Sequence, residues 1–197
     1  MVSTTLALIG RETPGKPFPM VVHENAHLFA GVRSVLDVGA GRGRFARYFL
    51  LGEYIGSSKK YPRSRLWCAK APVNFVIEEY VAVEPHEPFC EELRRIGDAR
   101  LRVICTRWED ARAELRGRGF DMVILWDVLM FIPLDPFEVL SELIEMTREF
   151  FLFSLHPVEN VPLPKERFKE VLAWLDSHPK LELIGKKYLN RVYRKRP

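Results

Sequence analysis

Residues Ser34 to Phe45 constrain the fold more than any other stretch of this 197-residue chain. Ser34-Val35-Leu36-Asp37-Val38 is a short apolar run, which suits a buried strand carrying one acid. Gly39, Gly41 and Gly43 follow at alternate positions, and Phe45, Ala46, Tyr48 and Phe49 recur behind them at helical spacing. Strand, glycine turn and helix in that order place the chain in the α/β class. Glycine permits positive φ and lets a ligand approach the backbone without meeting a Cβ. The helix behind the turn offers unpaired N–H groups and the positive end of its dipole. The competing reading is a glycine turn that holds nothing.

The spacing separates this turn from the dinucleotide fingerprint, which needs G-x-G-x-x-G and an acid about 20 residues later. Here the pattern is G-x-G-x-G with Asp37 two residues before the first glycine. It resembles motif I of the class I S-adenosylmethionine (SAM)-dependent methyltransferases, E/D-x-G-x-G-x-G. The resemblance implies that the loop wraps the methionine and ribose part of SAM, with Asp37, Gly39, Ala40, Gly41 and Gly43 at the cofactor.

Later segments extend the likeness over about residues 31–195. Glu79-Tyr80-Val81-Ala82-Val83-Glu84-Pro85 reads as a second strand ending in an acid and a proline. A carboxylate in that place can accept hydrogen bonds from both ribose hydroxyls, and the resemblance gives that role to Glu84, with Pro85 beside it. Leu101 to Cys105 reads as strand three, leading into Thr106-Arg107-Trp108-Glu109-Asp110. There the family places an acid that reaches the adenine amino group. Arg107 stands where its commonest pattern has Asp, so Glu109 or Asp110 is left to take that group. Trp108 either covers the adenine face or is a core ring. Gly119-Phe120-Asp121 opens a wholly apolar strand, resembling the F-D-x-V of motif IV, and Asp127 emerges just past its carboxyl end. The N-P-P-Y or D-P-P-Y tetrad of amino-methylating nucleic-acid enzymes is absent, since Trp126-Asp127-Val128-Leu129 fills its place.

Strand five, Phe150 to Leu155, terminates at His156-Pro157. An imidazole there serves as a base or as a structural histidine, and Asp127 and His156 are the candidates for acceptor positioning or proton removal. Leu181 to Tyr188 and Arg191 to Lys195 are expected to pair as a closing antiparallel hairpin. The expected fold is therefore doubly wound α/β, with a mostly parallel seven-stranded sheet and a C-terminal antiparallel hairpin.

Around that frame, residues 1–197 are expected to form one domain, with an N-terminal arm and helix over 1–30. Val21 to Val32 should be helical and Val73 to Ile77 a short extra strand. From Asp37 to Glu84 is 47 positions, so 53–78 reads as an insertion. Its cations and rings, among them Lys59, Lys60, Tyr61, Arg63, Arg65 and Trp67, form either a substrate flap, a nucleic-acid contact or a solvated loop.

Three further features bound the function. His23-Glu24-Asn25-Ala26-His27 matches the H-E-x-x-H of zinc hydrolases, but the histidine-bearing continuation is missing and no metal is expected. Cys68, Cys90 and Cys105 are widely spaced without a C-x-x-C pair, so they are read as buried reduced thiols. A reducing cytoplasm follows as the expectation, since Thr4 to Gly10 is too short for a signal peptide and no apolar run approaches the roughly 20 residues that span a bilayer. The net charge of +4 and pI near 9.0 permit an anionic partner without requiring one. The last twelve residues hold Lys186, Lys187, Arg191, Arg194, Lys195 and Arg196 with no acid, which suits RNA contact or a charged sheet edge. The leading expectation is methyl transfer from SAM to a small molecule, with an RNA-directed or non-catalytic RNA-binding SAM fold as the alternative and a zinc hydrolase through His23 to His27 ranked behind both.

Overall fold

The computed structural model describes residues 18–56, 67–156, 161 and 163–197. Seven strands form one sheet: β1 (Ser34–Val38), β4 (Glu79–Val83), β5 (Leu101–Ile104), β6 (Phe120–Trp126), β7 (Thr147–Ser154), β8 (Leu181–Lys187) and β9 (Asn190–Lys195). Their order is β5-β4-β1-β6-β7-β9-β8. The first five are mutually parallel, while β9 runs antiparallel between β7 and β8. This is the expected sheet, closing hairpin included. β2 (Glu53–Gly56) and β3 (Trp67–Lys70) form a separate two-stranded ribbon.

Helices lie on both faces. Leu36 and Val38 of β1 point to the side covered by α4 (Trp108–Leu115), α5 (Pro136–Met146) and α6 (Lys165–Asp176). Val35 points the other way, toward α1 (Met20–Glu24) and α2 (Arg44–Leu51). α3 (Glu87–Arg94) adds Leu93 to this second cluster. β1 and β6 are apolar apart from Ser34, Asp37 and Asp121 because both their faces are covered, the usual condition of central parallel strands.

Helix ends follow local chemistry. α2 starts after Gly43 and stops at Gly52, both left-handed, and the Gly52 N–H returns to Tyr48 O at 3.1 Å, closing the helix as left-handed C-caps do. At α5, Asp135 accepts from the N–H groups of Phe137 and Glu138 while Pro136 opens the first turn, a cap worth about 1 kcal/mol.

Several expectations need correction. The helix over Val21 to Val32 is broken: α1 ends at Glu24, and Ala26–Phe29 forms a 3-10 turn. Asn25 is the cause, since its Nδ2 donates to Val21 O at 2.7 Å and competes with the helical backbone. Val73 to Ile77 is not a strand. Pro72 cannot donate to a ladder, and the chain instead enters β4 through the N–H groups of Glu78 and Glu79, both donated to Arg33 O. Strand five begins three residues earlier than expected, at Thr147.

Cys90 and Cys105 are not free thiols. They form a disulfide, with Cα atoms 5.9 Å apart. α3 and the end of β5 bring together residues 15 apart in sequence, a pairing that spacing alone does not announce.

The arm over 1–17 and the 57–66 part of the expected insertion lie outside the described residues, so Lys59, Lys60, Tyr61, Arg63 and Arg65 do too. Among the described residues no helix is long and apolar enough to cross a membrane.

Candidate functional site

From β1 the sheet is built outward in both directions, to β4 and β5 on one side and to β6 and β7 on the other. At such a reversal the chains leaving neighbouring strands diverge, and a crevice opens beyond their carboxyl ends. The glycine loop after β1 and Asp127 after β6 flank that crevice.

Backbone makes the first wall. Gly39, Gly41 and Gly43 have φ of 73°, 56° and 80°. A Cβ on Gly39 would lie 2.4 Å from Val128 Cγ2, and one on Gly43 would lie 2.7 Å from Leu93 Cδ2. Glycine is therefore demanded twice, by conformation and by packing. The N–H groups of Gly39 and Ala40 donate to Val83 O at 2.8 and 3.2 Å, lashing the loop to the end of β4. Glu84 is 3% exposed. Its Oε2 accepts from Gly41 N at 2.9 Å and its Oε1 from His86 N at 3.0 Å. A carboxylate with so little water needs such charge-assisted bonds, so Glu84 and the loop hold one another in place. Pro85 is exposed beside them.

Asp37 sits lower, within β1. It is buried, and its Oδ2 accepts from Tyr80 Oη at 2.7 Å. Burial, then the Asp37 charge and that hydrogen bond, push the Tyr80 hydroxyl well above its ordinary value, so it stays a neutral donor. The carboxylate thus faces a ring of β4 rather than the loop's outer side.

Side chains make the second wall. Asp127 is left-handed, with φ 59°, a conformation that costs a non-glycine residue on the order of 1 kcal/mol. Its N–H donates to Ser154 O at 3.0 Å. Its Oδ1 lies 2.6 Å from Ser154 Oγ and 2.6 Å from His156 Nδ1, and Ser154 Oγ is also 2.9 Å from Asn190 Oδ1. Ser154 and His156, at the end of β7 and just beyond it, therefore meet on the one carboxylate that follows β6, and Asn190 of β9 reaches it only through Ser154. Burial works to raise the Asp127 carboxyl, but the bonds from His156 and Ser154, with the charges of His156 and Arg44, hold it below the ordinary carboxylate value. The His156 side chain is 46% exposed against 16% for Asp127. With Nδ1 on Asp127, Nε2 is the imidazole nitrogen left for an incoming group.

Beyond the backbone wall, after the edge strand β5, Trp108 opens α4. It is 3% exposed and packs in the larger core cluster, while Glu109 is half-buried and Asp110 exposed. Buried polar atoms without a partner among the described residues include Trp108 Nε1, His86 Nδ1 and Arg42 Nε. All three belong to the segments that leave β5, β4 and β1 at the crevice. Buried polar groups are almost always paired, so three orphans along one rim fit a polar ligand.

Other candidates fall elsewhere. His23 and His27 lie on two helical segments separated at Asn25, and His23 Nδ1 is 3.2 Å from Tyr48 Oη. Neither histidine joins the one trio of clustered metal-capable groups found among the described residues, Glu87, Cys90 and Cys105. Tail cations are largely engaged. Arg191 is buried against Asp176, Lys195 Nζ donates to Ile144 O and Thr147 O, Lys187 pairs with Glu24, and Arg196 donates to Pro179 O. Asp121 of the F-D-x-V segment lies at the opposite, amino edge. There it accepts from the N–H groups of Arg33 and Ser34.

Sequence reasoning missed Ser154, Asn190, Val128 and Tyr80. Ser154 left a trace, since residues two apart on a strand share a face and it precedes His156 by two. Asn190 left none.

Comparison with known proteins agrees with this architecture. No protein-family model matches the chain, and no curated protein matches it in sequence. Solved structures do. A Burkholderia thailandensis 1,6-didemethyltoxoflavin-N1-methyltransferase, solved with 1,6-didemethyltoxoflavin and S-adenosylhomocysteine, aligns with TM-score 0.57 at 18% identity over 91% of this chain and 77% of its own. A Synechocystis magnesium protoporphyrin IX methyltransferase with bound SAM aligns with TM-score 0.52 at 12% identity over 98% and 92%. A Streptococcus thermophilus rRNA methylase reaches TM-score 0.58 at 12% identity over 94% and 99%. The chain has the class I SAM-dependent methyltransferase fold.

Proposed function

We propose that the chain is a SAM-dependent methyltransferase acting on a small-molecule acceptor. The observation that carries this reading is the lashed glycine loop at the sheet's point of reversal, with its Gly41 amide on the buried Glu84 carboxylate. The site residues divide by their chemistry. Gly39, Ala40, Gly41 and Gly43 offer backbone that a ligand can approach closely, and they would hold the methionine and ribose part of SAM. Glu84, fixed by the two amides, would accept the ribose hydroxyls. Trp108, with Glu109 and Pro85 beside it, would bound the adenine, and the unpartnered Trp108 indole N–H suits a ring nitrogen or oxygen. Asp37 acts from below by fixing Tyr80.

SAM, when bound, supplies a sulfonium methyl group already activated for transfer. What remains for the protein is alignment of the acceptor and, for an acceptor that must lose a proton, a base. His156 fills that place: Asp127 orients the ring through Nδ1, and Nε2 takes the acceptor's proton. Ser154 and Asn190 hold Asp127 where it can do so. A small acceptor is favoured over RNA because the tail cations Arg191, Lys195, Lys187 and Arg196 are engaged within the chain.

Calorimetric titration with SAM and with S-adenosylhomocysteine tests the reading. Saturable binding at micromolar concentrations is expected, and silence up to the high micromolar range would overturn it.

A further inference from the structure

The Cys90–Cys105 bond has no part in the methyl transfer just described, yet it lies against the cofactor side of the crevice. Cys90 is fully buried in α3, and Cys105 follows the last residue of β5. Glu84 is held from both partners' neighbourhoods. Its N–H donates to Ile104 O, one residue before Cys105, and its carbonyl oxygen is 3.1 Å from Cys90 Sγ. Three residues beyond Cys105 comes Trp108 with its unpartnered indole N–H. The bond therefore ties the β4–α3 junction, which carries Glu84, to the β5–α4 junction, which carries Trp108.

That tie matters because β5 is the outermost strand. It pairs only with β4, over four residues, and all four of its residues are at least partly exposed. An edge strand so short is held weakly by its own ladder. A covalent link to α3 fixes it where hydrogen bonds alone would let it fray.

We propose that Cys90–Cys105 is a reversible thiol–disulfide site that sets the affinity of the crevice for SAM, an inference resting on the reading that the crevice holds that cofactor. The partner is a dithiol reductant. One of its thiolates attacks Cys105 Sγ, the more exposed sulfur, and the S–S bond breaks with its electron pair leaving on Cys90. The reductant's second thiol then displaces Cys105 from the mixed disulfide. The protein gains two electrons and two protons, and the reductant becomes a disulfide. Both sulfurs have acceptors for the protons they gain: Cys90 Sγ faces Glu84 O, and Cys105 Sγ is 2.8 Å from Glu87 Oε2. The oxidised state holds both junctions in register for ribose and adenine, and the reduced state releases the β5–α4 junction.

The full chain carrying Cys68→Ser is titrated with S-adenosylhomocysteine by calorimetry, once oxidised and once after dithiothreitol, with mass spectrometry confirming a gain of two hydrogens. Binding about tenfold weaker in the reduced form, restored by reoxidation, is expected. By linkage, saturating S-adenosylhomocysteine then lowers the pair's midpoint potential by about 30 mV. Cys90→Ser/Cys105→Ser, verified as folded by circular dichroism, binds like the reduced form and ignores dithiothreitol. Equal affinities in the two states, or no disulfide after treatment with oxidised glutathione, overturn the switch and leave SAM binding standing. Failure of both states to bind overturns the cofactor reading itself.

Discussion

The two walls of the crevice are built from different materials. On the β1–β4 side the contacts are backbone: three left-handed glycines, amides on Val83 O, and amides on a single carboxylate. On the β6–β7 side they are side chains, Asp127, Ser154, His156 and Asn190, gathered from three strands. A backbone wall is rigid and indifferent to what lies outside the cofactor, since it presents the same amides whatever the acceptor. A side-chain wall can be changed residue by residue without disturbing the loop opposite. On the proposed reading, cofactor binding and acceptor choice are thereby separable, and substitutions on the two sides should behave differently.

The largest effect is expected at Gly39. Gly39→Ala places a Cβ on Val128 at positive φ and should cost about 3 kcal/mol, read as a lowered midpoint in thermal unfolding with loss of S-adenosylhomocysteine binding. Adding Val128→Ala should recover part of the stability. A melting point unchanged by Gly39→Ala breaks the contrast at its root.

Next comes Glu84→Ala, which strands two amide donors, those of Gly41 and His86. About 2 kcal/mol of stability and at least a tenfold drop in S-adenosylhomocysteine affinity should go together, measured by urea unfolding and calorimetry. If affinity survives, Glu84 supports the loop without touching the ligand.

Asp127 sharpens the comparison through pH. Its carboxyl is depressed in the folded chain, so its contribution is fully present above the ordinary carboxylate value and is lost as pH falls through the lower, folded one. Asp127→Asn should cost about 1.5 kcal/mol at pH 7 and flatten the decline in urea midpoint as pH falls below the ordinary carboxylate value of about 4. An equally steep decline in the variant would mean that the carboxylate is not held as drawn.

The smallest effect is predicted for His156→Ala, on a side chain nearly half exposed. Stability should change by less than about 0.5 kcal/mol and S-adenosylhomocysteine affinity by less than twofold. Methyl transfer to an acceptor that must lose a proton should fall by about 100-fold or more. A matching fall in cofactor affinity would erase the division of labour between the walls.

The backbone wall was the legible one, and the reason is local. A strand, a glycine turn, a helix and the acid after the next strand are each written in a handful of consecutive residues, so Gly39, Gly41, Gly43 and Glu84 stand out before any folding. The doubly wound, mostly parallel class of the sheet follows from the same alternation of strands and helices. Asp127 and His156 were legible as strand-end residues, but not as partners, because 29 positions separate them. Ser154 and Asn190 are 36 apart and meet only because β9 inserts beside β7. The Cys90–Cys105 bond was hidden in the same way: the spacing is unremarkable until α3 folds back on β5. Asp37 stands out by its motif position, while its bond from the Tyr80 hydroxyl is legible only once β4 lies beside β1. The break at Asn25 inside the H-E-x-x-H segment was not legible either, since it depends on one side chain reaching back to Val21 O.

Trp126 and Trp108 have a further consequence. Trp126 is the last residue of β6, immediately before Asp127, and its ring lies 5.3 Å from that of Phe45 behind the glycine loop. Trp108 opens α4 at the other end of the crevice, whereas Trp174 packs far along α6 against Phe137 and His178. Two indoles thus bracket the crevice from within the core, shielded from water and close enough to sense what enters between them. On the proposed reading, these are fluorophores at the two ends of the path shared by cofactor and acceptor. Occupancy at the adenine end and at the acceptor end should register as separate changes in intrinsic emission, with no label attached.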